Sequence, residues 1–177
     1  MGRRSPAHLA YDPLVPRISA GLLMFRRRGD VLEVLLAHPG GPFWAKKDLG
    51  AWTIPKGEMA KGEDELATAR REFEEETGIR PEGPFHPLGC VEQRAGKLVY
   101  AWAFEGNCDP AAIRSNSFRM PWPPGSGQSQ TFPEVDRAEW FSLDEARGRI
   151  NPGQAPLLSA LEAVLAGPGG PSSRPAT

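Results

Sequence analysis

Hydrophobic positions in the first third of the chain follow the period of β-strands. Residues 17–26 place apolar side chains at alternating positions, and residues 31–37 contain a continuous apolar run, as strands buried on one or both faces do. Arg28, Gly29 and Asp30, which lie between these segments, predict a tight turn. The two segments therefore predict a β-hairpin.

Further strands and a helix follow in a mixed order. A second hairpin is predicted over residues 85–93 and 97–105, because a glycine turn separates two strand-like arms and the second arm is nearly all apolar. The last strand is predicted over residues 134–141. Leucines at helical spacing predict a terminal amphipathic helix over residues 155–166.

Between the hairpins, one amphipathic helix carries both an apolar stripe and an acidic cluster. The stripe recurs at spacings of three and four, at Leu66, Ala69, Phe73 and Thr77. A turn of ~100° per residue places three carboxylates together away from the stripe, those of Glu72, Glu75 and Glu76. Such neighbours repel by about a few tenths of a kcal/mol per pair. The cluster therefore indicates a cation site, and carboxylate oxygens prefer Mg²⁺ where phosphates share the coordination shell.

The spacing of fixed residues around this helix is specific. Gly57 is followed after five residues by Glu63, and after seven more by the run REFEEETGI, residues 71–79. This resembles the Nudix box, in which G, E, R-E-U, E-E and G-U recur at these spacings and U is a bulky aliphatic residue. Phe73 departs from the usual aliphatic residue but stays on the apolar stripe. A solvated acidic helix face is the alternative for such a run, and the fixed glycines and Arg71 favour the box.

The fold is expected to be α/β. The order of elements gives a mixed sheet clasped between helices, and the Nudix resemblance implies an α/β/α sandwich with a mixed β-sheet between helices over residues 17–166. Residues 1–16 are polar and contain proline, so we expect a flexible N-terminal arm. Residues 167–177 are rich in Pro, Gly and Ser and predict a disordered tail.

The resemblance also implies roles for individual residues. The catalytic and metal-binding glutamates would be Glu72, Glu75 and Glu76. Gly57 would lend its backbone carbonyl to the metal, and Glu63 would orient the site from outside the coordination shell. One glutamate must accept the proton of the attacking water. Outside the box, Glu134 is the preferred further ligand because it begins a predicted strand, and Glu105 is the alternative. Arg71 is expected to hold a glutamate in place.

The segment that leads into the box narrows the resemblance. A short strand is predicted over residues 51–57, ended by Pro55. The run Gly50, Trp52, Pro55, Lys56, Gly57 resembles the lead-in of Nudix members that act on dinucleoside polyphosphates. Lys56 would then lie near the metal and the phosphates; the alternative is a solvated charge.

Two glycine- and proline-rich loops contain further candidates for substrate binding. Residues 38–50 contain Trp44, and residues 106–130 contain Arg119 and Trp122. Aromatic rings stack on nucleobases and cations meet phosphates, so these side chains are candidate substrate contacts. The alternatives are an ordinary surface loop and aromatic residues that pin a loop to the core.

Composition excludes several other classes. A chain of 177 residues with 40% hydrophobic residues suits one domain. The net charge of −1 gives no basic field for nucleic acid, and no apolar run approaches the ~20 residues of a membrane span. Cys90 and Cys108 predict free thiols in a reducing cytoplasm rather than a disulfide framework. The histidines, His8, His38 and His86, show no metal or triad spacing and are interpreted as incidental.

The function that the resemblance implies is Mg²⁺-dependent hydrolysis of a phosphoanhydride bond, with Mn²⁺ as a possible substitute. The substrate would be a small molecule linked through a nucleoside diphosphate, first a dinucleoside polyphosphate such as diadenosine tetraphosphate. The second hypothesis is a nucleoside triphosphate pyrophosphohydrolase, and the third is a hydrolase of ADP-ribose or nucleotide sugars. A non-catalytic nucleotide- or RNA-sensing module is the rival of another class, although such modules usually carry an eroded box. The sequence leaves the oligomeric state open.

Overall fold

The structure, a computed structural model, describes residues 16–167. The predicted arm and tail lie outside the described residues, except for residues 16 and 167. Within residues 16–167 the structure contains eight β-strands, which are β1 (Ile18–Arg28), β2 (Val31–Pro39), β3 (Lys56–Glu58), β4 (His86–Gln93), β5 (Lys97–Glu105), β6 (Ser117–Pro121), β7 (Ser129–Pro133) and β8 (Val135–Ser142). Three α-helices are α1 (Glu65–Thr77), α2 (Leu143–Arg149) and α3 (Ala155–Ala166).

One mixed sheet forms the centre of the fold. Its strand order is β4-β5-β1-β2-β8, and the short β3 pairs with the N-terminal half of β1. The pairing of β1 with β5 is parallel, whereas the other pairs are antiparallel. Because β1 lies between two long neighbours, its residues 19–25 are buried on both faces. Both predicted hairpins are confirmed as β1–β2 and β4–β5.

Two apolar layers separate the sheet from the helices. On one face, Leu22 and Met24 pack in the cluster that contains Phe73 of α1. On the other face, Leu23 and Phe25 pack in the cluster that contains Leu157, Leu158 and Leu161 of α3. The predicted α/β/α sandwich is therefore confirmed. Among the described residues, no helix combines the length and apolar character that crossing a membrane requires.

The local sequence explains why α1 begins and ends where it does. The Asp64 side chain caps the N-terminus by accepting the backbone N–H of Ala67 at 2.7 Å. Gly78 ends the helix with φ 75°, a left-handed conformation that glycine adopts without strain. The predicted apolar stripe is confirmed, since Ala69, Phe73 and Thr77 are buried and Leu66 packs against the same cluster.

The strand predicted over residues 51–57 is wrong in its position. Only Trp52 and Thr53 form isolated bridges there. Pro55 precedes the regular strand β3 instead of ending one. Proline has no N–H to donate but retains its carbonyl, which accepts the N–H of Leu22 at 3.1 Å. The chain therefore joins β1 at Pro55 and continues into β3.

The long loop predicted over residues 106–130 contains regular structure. Strands β6 and β7 form an antiparallel two-stranded ribbon in which Phe118 lies opposite Phe132. The two strands pair across a glycine-rich turn. The prediction of a loop missed this pairing because it ended at residue 130, before most of β7. The ribbon stands outside the main sheet.

His38 is not incidental. Its side chain is fully buried, with Nδ1 2.8 Å from Oδ1 of Asp136 and Nε2 2.6 Å from the Lys47 carbonyl oxygen. The ring therefore contacts Asp136 through one nitrogen and Lys47 through the other. His38 thereby ties the loop over residues 40–50 to β8. His86 is partly buried near the ring of Phe25, and His8 lies outside the described residues.

Candidate active site

Two glutamates of α1 lie against strand β3. Oε2 of Glu76 accepts the backbone N–H of Lys56 at 3.0 Å. One turn earlier, the Glu72 carboxylate lies so close to Gly57 that a Cβ at that position would be 2.0 Å from its Cδ. A side chain at position 57 would therefore displace the Glu72 carboxylate from its present position. The helical period that predicted a common direction for Glu72 and Glu76 is consistent with this arrangement.

Arg71 occupies the other side of the acidic cluster. Its guanidinium donates to Glu63 at 2.8 and 2.9 Å, to Glu72 at 2.8 Å and to Glu75 at 3.1 Å. The expectation that Arg71 is an internal partner is confirmed. The hydrogen bonds from Arg71 lower the pKa of Glu63 to about 2, and those to Glu63 raise the pKa of Arg71.

Burial governs the electrostatics on the side that Arg71 does not neutralise. Burial raises the pKa of Glu76 to about 8, although Lys56 beside it acts in the opposite direction. Burial also lowers the pKa of Lys56 and raises those of Glu72 and Glu134. Like charge contributes too, from Glu75 to Glu134 and from Glu134 to Glu76. These carboxylates therefore lie within electrostatic range of one another, and the positive charges of Arg71 and Lys56 offset the effect of burial on Glu72 and Glu76 only in part.

The types of donor atom in this cluster fit a hard divalent cation, although the carboxylates are not arranged as a coordination shell. Within residues 16–167, no group of three or more His, Cys, Asp or Glu side chains is placed to hold a metal ion. The hydrogen bonds from Arg71 hold Glu72 and Glu75, and the bond from Lys56 holds Glu76. The expectation of one shared carboxylate centre is thus met only in part. All donors are oxygens, and the site has a surplus of negative charge, which suits Mg²⁺ or Mn²⁺.

A cavity of about 330 Å³ opens beside Glu76. Three predicted residues line it, namely Lys56, Trp44 and Glu134. Glu105 does not approach it, since it is exposed and pairs with Phe25 at the end of β1 far from β3. The alternative of Glu105 as the outside ligand is therefore wrong by position.

The structure separates the two candidates from the second loop. Arg119 is exposed on β6, whereas Phe118 and Met120 are partly buried, so Arg119 lies on the other face of the ribbon. Trp122 packs against Phe43, outside the cavity. Arg119 and Trp122 are therefore outside the lining of this cavity, and their role as substrate contacts stays a prediction.

Sequence reasoning missed four polar residues of the cavity, which are Thr53, Gln93, Lys97 and Asn151. Gln93 and Lys97 flank the β4–β5 turn, and Asn151 follows α2. Lys97 is close enough to Lys56 for its charge to contribute to the lowered pKa of Lys56. No sequence signal marks these residues, because the pairing of β4 with β5 and the packing of distant segments bring them to the site.

We expect the Glu63–Arg71 pair to stabilise the fold above pH 4.5 and to lose that effect in acid. The pKa of Glu63 is lower in the folded state, about 2, than its ordinary 4.5, so its contribution is complete above 4.5 and falls between pH 4.5 and 2. Glu63→Gln is expected to lower the free energy of unfolding by about 1–2 kcal/mol at pH 7, after allowance for solvent screening of a partly exposed pair.

Urea unfolding at pH 7 and at pH 2.5 measures this effect. The difference between wild type and Glu63→Gln should shrink in acid. The control is Glu82→Gln, an exposed position, for which no difference is expected at either pH. A Glu63→Gln difference of equal size at both pH values would contradict the prediction.

The geometry agrees with a comparison to known families. Residues 15–161 match the family model described as NUDIX domain. The chain belongs to the Nudix family. It is a hydrolase that acts on phosphoanhydride bonds.

Among individual proteins, the chain is similar to nucleotide hydrolases of known activity. The asymmetrical bis(5'-nucleosyl)-tetraphosphatase of Sus scrofa is 39% identical over 140 residues, which cover 72% of this chain and 80% of that protein. The enzyme of the same name from Rattus norvegicus is 34% identical with the same coverage. The RNA pyrophosphohydrolase of Rhizobium meliloti is 32% identical over 118 residues, 57% of this chain and 64% of that protein.

Solved structures share the fold. A binary complex of the Caenorhabditis elegans Ap4A hydrolase superposes with a TM-score of 0.60 at 25% identity, covering 84% of this chain and 98% of that one. The NUDIX domain of Shewanella oneidensis NrtR, crystallised with ADP ribose, gives a TM-score of 0.60 at 18% identity over 88% of this chain and 94% of that one. At 18% identity, the similarity to the NrtR domain concerns the fold alone.

Proposed function

We propose that the protein is a Mg²⁺-dependent hydrolase of dinucleoside polyphosphates, with diadenosine tetraphosphate as the representative substrate. The observation that carries the proposal is the composition of the cavity. It places the carboxylates of Glu76 and Glu134 beside the ammonium groups of Lys56 and Lys97. Carboxylates suit a divalent cation and lysines suit phosphates, and a phosphoanhydride substrate needs both. Similarity to the asymmetrical tetraphosphatases supports the substrate class.

The residue roles in this proposal are those that the Nudix resemblance implies, and the hydrogen bonds of Arg71 and Lys56 support them. Glu72, Glu75, Glu76 and Glu134, with the Gly57 carbonyl, would hold the metal. When bound, the metal neutralises phosphate oxygens and lowers the pKa of a coordinated water. One of the glutamates accepts the proton of the attacking water at a carboxylate oxygen. Glu63 positions Arg71, which in turn fixes Glu72 and Glu75. Lys56 and Lys97 place positive charge toward the phosphates.

A substrate panel with Mg²⁺ tests the proposal. It compares diadenosine tetraphosphate, ATP, ADP-ribose and 5'-triphosphorylated RNA, and it identifies the products. The expected result is the highest kcat/KM for diadenosine tetraphosphate, with ATP and AMP as products of asymmetric hydrolysis. Binding without turnover under Mg²⁺ and Mn²⁺ would favour a nucleotide-sensing module instead.

Removal of a terminal diphosphate from a triphosphate is the second candidate function. Similarity to the Rhizobium meliloti RNA pyrophosphohydrolase favours it. The net charge of −1 does not favour a long nucleic-acid partner, so a small nucleotide is the expected substrate. Higher kcat/KM for ATP or for the triphosphorylated RNA in the same panel would establish this alternative.

A cytoplasmic location remains a prediction. It is supported by the cysteines, since Cys90 and Cys108 are both free and Cys90 is exposed. Exposed free thiols are typical of proteins from reducing compartments. Fractionation of cells that express the tagged chain would test it.

A further inference from the structure

The cavity beside Glu76 has room for one nucleotide. Its volume of about 330 Å³ is at the lower end of small-molecule sites. A dinucleoside polyphosphate carries two nucleosides, so one of them must lie outside this cavity. The inference below rests on the proposed function and asks where the second nucleoside binds.

Two aromatic rings, the exposed ring of Phe43 and the partly buried ring of Trp122, contact each other in the loop that also carries Trp44 of the cavity and in the ribbon segment after β6. Phe43 is 63% exposed, and its ring contacts that of Trp122 edge-on, with centroids 5.8 Å apart and planes at 82°. The two residues belong to separate segments, the loop after β2 and the end of β6. An exposed aromatic ring of this kind offers a face on which a nucleobase can stack.

Backbone contacts tie this pair to the acidic cluster. The N–H of Gly40 donates to the Glu134 carbonyl at 2.9 Å, and that of Asn116 donates to the Glu75 carbonyl at 2.9 Å. Trp44, the neighbour of Phe43, lines the cavity itself. The ring pair is therefore anchored through both of its segments to the elements that carry the proposed metal ligands.

The loop and the ribbon also pack closely on each other. A Cβ on Gly41 would lie 2.9 Å from Cζ of Phe118, so only glycine allows this approach. Phe118 lies on the same face of the ribbon as Met120 and on the opposite face from Arg119. The loop that carries Phe43 thus packs on the ribbon that leads to Trp122.

Charge favours a polyphosphate-linked base as the occupant. A nucleoside triphosphate whose base occupies the cavity has no second base to place at Phe43. Lys46 and Lys47 are exposed in the same loop as Phe43, and Nζ of Lys47 lies 4.8 Å from the ring centroid of Trp44, which lines the cavity. These two lysines supply positive charge that suits phosphates.

We propose that Phe43 and Trp122 form the binding surface for the second nucleobase of the dinucleoside polyphosphate. The base stacks on the exposed ring of Phe43, and Trp122 holds that ring in place. The pair therefore acts in substrate specificity, because it distinguishes substrates with two nucleosides from those with one.

Equilibrium binding tests this proposal separately from hydrolysis. Calorimetry with Mg²⁺ measures Kd for a methylene-bridged, non-hydrolysable analogue of diadenosine tetraphosphate and for the corresponding analogue of ATP. Phe43→Ala and Trp122→Ala are each expected to raise Kd of the first ligand about tenfold, the size typical of a lost base–aromatic stack. Kd of the ATP analogue is expected to stay unchanged.

Two further variants complete the design. Leu49→Ala removes another apolar side chain of the same loop, 76% exposed, and is expected to change neither Kd. Trp122→Phe keeps an aromatic ring and is expected to recover most of the affinity. Equal weakening of both ligands would indicate a structural role for the pair and overturn the proposal.

The remaining outcomes separate the two hypotheses. If both alanine variants bound the dinucleoside analogue with the wild-type Kd, the ring-pair proposal alone would be overturned. Weakening confined to a 5'-triphosphorylated RNA would also overturn it and assign the surface to RNA. Selective weakening of the dinucleoside analogue in a protein that fails to hydrolyse diadenosine tetraphosphate would uphold the ring pair and reject the proposed catalytic activity.

Discussion

Glu76→Gln is expected to lower kcat by about a hundredfold or more, the size of loss that follows removal of one preorganised electrostatic group. The amide has the shape of the carboxyl and still accepts the N–H of Lys56, which bonds Oε2 at 3.0 Å. It supplies no negative charge to a cation. Because burial raises the pKa of Glu76 to about 8 in the metal-free protein, the amide resembles the protonated carboxyl, and the fold should keep its stability.

Steady-state kinetics with Mg²⁺ and urea unfolding together check this result. Glu74→Gln is the matched control, because it makes the same change on an exposed part of the same helix, and its kcat should equal that of wild type. Near-normal turnover of the Glu76→Gln variant would remove Glu76 from the proposed metal site.

Gly57→Ala is expected to disrupt the site through a single methyl group. The added Cβ would lie 2.0–2.3 Å from Cδ and both oxygens of Glu72, so the carboxylate must rotate away. That movement breaks the 2.8 Å bond from Arg71 and displaces a proposed metal ligand. We expect kcat to fall about a hundredfold and the free energy of unfolding to fall by roughly 1–3 kcal/mol from overpacking.

The chain offers a glycine for comparison. Gly148 lies in α2, and a Cβ there would meet nothing within 4 Å. Gly148→Ala should leave kcat unchanged and increase the free energy of unfolding by up to about 1 kcal/mol, the helix propensity difference. If Gly57→Ala behaved like Gly148→Ala in both measurements, the close approach of Glu72 to Gly57 would have no functional consequence.

The parts of the fold that the sequence predicts well are those set by local interactions. The helix α1 is an example, because its apolar stripe at Ala69 and Phe73 is set by residues within one segment of 13 residues. The two hairpins likewise depend on short turns between apolar arms. By contrast, β3 starts after Pro55 because the proline carbonyl accepts a bond from β1, and a propensity argument contains no information about that partner.

The candidate site divides in the same way. The shared direction of Glu72 and Glu76 follows from the helical period, and the match to the box follows from spacing. Lys97 reaches the cavity only because β5 pairs with β1 and β4. The buried role of His38 depends on Asp136, 98 residues later. Contacts over such separations depend on topology, which periodicity alone leaves open.

The parallel pairing of β1 with β5 has a consequence for biosynthesis. The ribosome synthesises the chain from its N-terminus. The strand β1 therefore leaves the ribosome well before its partner β5, which pairs with it from Leu98 to Glu105. Until then one long edge of a strand with a continuous apolar segment is uncovered, and the nascent chain has an exposed template for mispairing. Chains stalled before residue 97 should therefore bind holdase chaperones, and release should follow once the second hairpin has been translated.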